Sequence, residues 1–255
     1  MMKTAGMWVL LLALVVPSPV AAEAATGITT IPVSRLVTET PEVTPTSDVN
    51  RNNVETRHLH PFAYDVILID VGHGGIDGGT SYGTILEKDI NLAISRRLFM
   101  LLRQEGYHCV LNRDADYALS DDNRWHRTSS RHRRDLSQRK QLSKELPTKM
   151  VVSVHVNWGK NPSKGGGIVL HQAEGRSTAL AAIIQDQLNQ VYRNHNTIMV
   201  GKPYYLLNTT DVPAVIVETG FLSHAQDRDL LTSRNGQMRI AEAIADGIIS
   251  YLTAL

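Results

Sequence analysis

The chain has 255 residues, room for one good-sized domain with appendages or for two small ones. Hydrophobic residues make up 42% and charged residues 20%, the balance of a folded globular protein, which excludes wholesale disorder. A formal net charge of +1 gives no global electrostatic case for nucleic acid, and a single cysteine excludes both an intrachain disulfide and a cysteine-built zinc cluster.

Taken in order, residues 1–22 have the three parts of an export signal: Lys3, an apolar run at 7–16, and small residues leading to a cut after Ala22. The apolar run is about half the roughly 20 residues a spanning helix needs, so retention at the outer face of the membrane is the alternative to cleavage. Residues 23–61 are rich in Thr, Pro, Val, Asn and Glu, with Pro32, Pro41 and Pro45 breaking any regular pattern. They read as a spacer, with 28–37 as a candidate docked edge strand. Residues 62–255 then read as a single folded domain.

That domain opens on VILIDVGHGGIDGGT at 66–80, an unbroken β-branched run feeding a glycine loop, with His73 at its first bend. The run predicts a strand buried on both faces, and the glycines permit the positive φ angles of a sharp turn. Ile90, Ile94, Leu98, Leu101 and Leu102 then recur at helical spacing, which predicts a helix over 87–105 stopped by Gly106. A strand at 107–111 completes a βαβ unit and holds Cys109 as a small buried apolar residue.

Residues 112–134 form a long polar connection, of the kind that is functional or disordered inside a compact domain. A helix at 131–146 follows, with Leu136, Leu142 and Leu146 inward. Between 124 and 144 eight basic residues face the single acid Asp135. This run reads either as a solvated helix face or as a patch for an anionic glycan polymer or membrane headgroups. Strands at 150–156, 168–171, 204–207 and 214–217 and helices capped by Ser177 and spanning 236–252 complete the pattern. Strands alternating with helices predict an α/β fold: a mostly parallel open sheet with helices on both faces.

In such a sheet ligands bind beyond the carboxyl ends of the strands. His73, His155 and Glu218 all fall at such ends, and Glu87 opens the helix that leaves the first of them. Each has a plainer explanation alone: a structural histidine, a charge at a helix start. Glu218 is harder to dismiss, because a carboxylate following AVIV and preceding GF is buried and needs a partner or a task. Together, two imidazoles and the Glu87 carboxylate leave a fourth tetrahedral position of zinc open for water, and Glu218 stands as the proton carrier. The glycine loop as a phosphate cradle is weaker, since no GK[ST] follows it.

IDVGHGGIDGG, LEKDINLA, SVHVN and PAVIVETGFLS, in this order, strongly resemble the zinc-dependent N-acetylmuramoyl-L-alanine amidases of bacterial cell walls, over about 65–252. The resemblance implies Zn2+ as cofactor, His73, Glu87 and His155 as its ligands, and Glu218 as the catalytic glutamate. It sets Asn157 beside the second histidine and puts His224 where the family often has asparagine. The implied reaction is hydrolysis of the amide between N-acetylmuramic acid and L-alanine, with the peptidoglycan glycan strand and its peptide stem as substrate. The stretch 116–139 resembles sporulation and germination amidases. It implies action on spore cortex on the way to muramic lactam, in the cell wall or the forespore intermembrane space, with an unidentified regulatory protein as a further partner. The competing readings are a zinc peptidase of the peptide stem and a wall-binding or activator protein without activity.

Overall fold

The computed structural model describes residues 64–254. The expected leader, spacer and edge strand at 28–37 lie outside the described residues. The elements are β1 (Val66–Val71), β2 (Ser81–Tyr82), β3 (Ile85–Leu86), α1 (Glu87–Gln104), β4 (Cys109–Leu111), α2 (Arg131–Glu145), β5 (Thr148–Asn157), β6 (Ile168–His171), α3 (Gly175–Tyr192), β7 (Met199–Val200), α4 (Tyr205–Thr209), β8 (Ala214–Phe221), α5 (Ala225–Thr232) and α6 (Arg234–Thr253). A six-stranded sheet runs β4-β1-β5-β8-β6-β7, and β2 and β3 form a small hairpin. Every pair in the large sheet is parallel except β6 with β8.

The β-branched strands are buried because helices cover both faces. On one face Ile67, Ile69, Met150, Val152, Val154, Val215 and Val217 pack against α1, α3, α5 and α6. On the other, Leu68, Val151, Ala214 and Ile216 pack against Leu206 and Leu207 of α4 and against Leu142 and Leu146. The two rows alternate along each strand, as a period of two demands. Gly106, at φ 85°, takes the left-handed turn after α1, where its missing side chain avoids a clash.

Several expectations need correction. The run at 204–207 is the start of α4, because β7 already pairs with β6 along that side of the sheet and Leu206 and Leu207 turn onto the second core. Four apolar residues carry no decisive period. The cap of α3 is Glu174, whose carboxylate accepts from the Ser177 and Arg176 amides, while the Ser177 hydroxyl accepts from Ala214 N–H at 2.9 Å. Strand β8 runs past the expected 214–217 to Phe221, so Glu218 lies within it, and β5 extends the expected 150–156 at both ends, with His155 near its carboxyl end.

Candidate active site

Pairing in parallel register puts His155 of β5 directly beside Glu218 of β8. Paired neighbours share a face, so both side chains rise on the α2 and α4 side, one row beyond Ser153 and Ile216. Gly72 follows the end of β1, and a Cβ there would stand 2.5 Å from the His155 ring. The ring occupies the space that glycine leaves. His73 comes next, with φ 59°, a left-handed backbone that costs a residue with a side chain of order 1–3 kcal/mol.

Glu87 opens α1 and turns its carboxylate toward both histidines. His73 Nε2 lies 3.2 Å and His155 Nδ1 3.0 Å from Glu87 Oε1. The Val156 amide donates to the same oxygen at 3.0 Å, and the Thr80 amide to Oε2 at 2.8 Å. One potential ligand atom from each of His73, Glu87 and His155 lies within 4.8 Å of the others. The two rings meet edge to face, with centroids 5.0 Å apart.

Charge keeps this group tight. Burial pulls the His73 imidazole down, but Asp77 and Glu87, bonded to its two nitrogens, outweigh that and lift it to about 9. Burial raises Glu87, and the two histidines more than reverse it, leaving the carboxyl well below its ordinary range. Asp77, 3.0 Å from His73 Nδ1, is drawn down to about 2, chiefly by that hydrogen bond. By holding Nδ1, Asp77 leaves Nε2 facing Glu87. The sequence reading missed Asp77, although its place four residues after His73 in HGGID was a signal.

Glu218 behaves in the opposite way. It is 7% exposed, and its Oε2 has no hydrogen-bond partner among the described residues. Burial, with Glu87 adding to it and His155 and His73 opposing, pushes it up to about 7. It lines a cavity of about 480 Å³ together with His73, Glu87, His155 and Asn157. Trp158, Tyr204 and Tyr205 line the same cavity, each between 37% and 47% exposed, and make an aromatic rim. Burial raises the Tyr204 phenol, and Glu218 and Glu87 raise it further, so it carries its proton into the site.

His224 does not join this group. Its Nδ1 pairs with Asp227 Oδ1 at 2.8 Å, and it lines a separate cavity with Gly165 and Tyr192. The long connection after β4 does have a task. Asn112 Oδ1 accepts from Val71 N–H at 2.8 Å, and Arg113 Nη2 donates to the Gly72 and Lys88 carbonyls at 3.0 and 2.9 Å. Asp116 accepts from Gly75 N–H and from Lys88 Nζ, at 2.8 and 2.6 Å. These contacts clamp the glycine loop that presents His73. Of the basic run, Arg139 fits neither sequence reading: it is buried and paired with Asp70 and Asp135.

Comparison with known proteins supplies the family. The profile of the N-acetylmuramoyl-L-alanine amidase family matches residues 67–250. The germination-specific N-acetylmuramoyl-L-alanine amidase of Bacillus subtilis (strain 168) is 30% identical over 198 residues, 76% of this chain and 82% of that protein. The CwlD amidase of Clostridioides difficile, solved in complex with the GerS lipoprotein, superimposes with a TM-score of 0.70 at 32% identity, covering 75% of this chain and all of that one. The catalytic domain of CwlV, an N-acetylmuramoyl-L-alanine amidase from Bacillus (Paenibacillus) polymyxa, gives 0.64 at 28% identity, with 75% of this chain covered. A glycine loop, a helix-opening glutamate and two adjacent strand ends thus converge in a chain that belongs to the N-acetylmuramoyl-L-alanine amidases, enzymes that act on peptidoglycan.

Proposed function

We propose that this amidase is zinc-dependent, with His73, Glu87 and His155 holding the ion and Glu218 carrying the proton. The observation that supports it most is Glu218 Oε2: buried, without a hydrogen-bond partner among the described residues, and in the same cavity as three groups able to converge on one cation. The donor set suits zinc, since two imidazoles and one carboxylate match a hydrolytic site, whereas magnesium and calcium favour all-oxygen shells. When bound, zinc supplies Lewis acidity to the scissile carbonyl and to a water.

The remaining work falls to the chain. Asp77 fixes the tautomer of His73, and the Thr80 and Val156 amides fix the Glu87 carboxylate. Glu218 takes a proton from the attacking water as the new C–O bond forms. It returns that proton to the L-alanine nitrogen as the C–N bond breaks. In the metal-free protein burial lifts this carboxyl to about 7, and a bound cation would draw it back toward the ionised form that takes the proton. The faces of Trp158 and Tyr205 at the rim offer stacking surface to the sugar rings of the glycan strand.

The likeness to a germination-specific amidase supports spore cortex as the substrate, in the route to muramic lactam. The signal-like segment 1–22 and the spacer 23–61 support export ahead of the catalytic domain 62–255, with action outside the cytoplasm or at the membrane's outer face. The lipoprotein bound to the CwlD relative supports a regulatory protein partner here. Metal analysis tests the ligand assignment: His73→Ala and His155→Ala should lose zinc and activity together. Either variant retaining a full equivalent of tightly held zinc would remove that residue from the set. Faster release of peptide from isolated cortex than from vegetative wall would bear out the substrate, and the reverse preference would refute it.

A further inference from the structure

We infer that Arg139 is a positioning residue for His73: its guanidinium fixes the backbone from which that imidazole reaches the ion. The inference rests on the zinc reading above. Arg139 is 5% exposed in α2, on the face turned toward the sheet. Its Nε donates to Asp135 Oδ1 at 2.6 Å, and Nη1 to Asp70 Oδ1 at 2.7 Å. Both carboxylates are buried, so the charge that brings Arg139 under the loop is compensated from two elements.

The remaining contacts reach the main chain. Nη1 also donates to the Val71 carbonyl at 2.8 Å, and Nη2 to the His73 carbonyl at 3.1 Å. Those carbonyls flank the bend at which the chain leaves β1 and His73 takes its left-handed φ of 59°. Strained backbone persists where its surroundings over-determine it. Here Arg139 holds the His73 carbonyl while Asp77 holds the imidazole Nδ1, so both ends of the residue are fixed. Asp70 is itself gripped by the Ser153 hydroxyl and the Asn112 amide, which ties the clamp to β5, the strand that carries His155. One planar fork reaches acceptors on several sides, and a lysine ammonium, a single point donor, cannot span them.

The test is zinc affinity by competition with a chromophoric chelator, alongside thermal melts, on the full chain and three variants. Arg139→Lys keeps the charge and should fold, yet bind zinc roughly tenfold to a hundredfold more weakly, the usual effect of losing an outer support of a metal ligand. Leu142→Ala lies on the same helix and packs on the second core away from the loop. It should lower the melting temperature while leaving zinc affinity near that of the parent. Ser153→Ala retains Arg139 and loosens only Asp70, so it should weaken zinc several-fold even if Arg139→Lys fails to fold. Parental affinity in Arg139→Lys, equal losses in Arg139→Lys and Leu142→Ala, or an unaffected Ser153→Ala beside an unfolded Arg139→Lys would each overturn the inference alone. A parent chain that binds no zinc would overturn the metal reading and this inference with it.

Discussion

A buried carboxylate with an unpartnered oxygen is costly, and Glu218 bears that cost inside the site. Its carboxyl rises from 4.5 to about 7, so between those values the folded protein holds a proton that the unfolded chain lacks. The contribution is therefore most favourable below about 4.5 and is lost as pH rises through 7. In chelator-treated protein, Glu218→Gln should gain up to roughly 3 kcal/mol relative to the parent at pH 8 and almost nothing at pH 4. Urea melts at the two pH values check this, and an equal gain at both would detach the effect from ionisation. With zinc supplied, the same variant should keep its metal and lose roughly 100- to 10,000-fold in kcat, the worth of a positioned general base. Full activity would remove Glu218 from its role. Gly72→Ala should weaken zinc binding as well, because the added Cβ falls on the His155 ring. Unchanged metal affinity in that variant would contradict the packing described.

At the scale of elements, the site is assembled by register. β5 and β8 bring His155 and Glu218 side by side, and α1 begins where its first residue can reach both histidines. Trp158, just past β5, and Tyr205, at the start of α4, add the rim. Trp158→Ala and Tyr205→Ala should raise KM on polymeric glycan roughly three- to tenfold, with little change in kcat or on a single muramoyl peptide. Equal effects on polymer and fragment would assign the rim to the peptide stem instead. Much of this framework is legible in the sequence, because β-branched runs and a 3.6-residue apolar spacing are written into 66–71, 150–156, 214–217 and 90–102. The four residues now gathered in one cavity are those named from their places at strand ends and a helix start. What stayed hidden depended on tertiary partners. Arg139 looks like any other charge in a basic run until Asp70 arrives from β1, and the 204–207 run needs the sheet beside it to become a helix.

For the molecule as a whole, a zinc ion held as proposed would join groups from the glycine loop, α1 and β5, so its affinity would also be folding free energy. Zinc at a hundred times its Kd should add about 2.7 kcal/mol, raising the melting temperature by roughly 5–10 °C over chelated protein. A melting temperature indifferent to zinc would place the ion elsewhere or nowhere. Among the described residues no helix is long and apolar enough to cross a membrane. Zinc-dependent cleavage at the lactyl amide can be read from mass spectra of peptidoglycan incubated with the chain, with and without a chelator. Intact stem peptides beginning with a free L-alanine amine and glycan strands bearing unsubstituted muramic acid are expected, both abolished by the chelator. Fragments cut within the stem, or release that persists undiminished after zinc is stripped, would contradict that expectation.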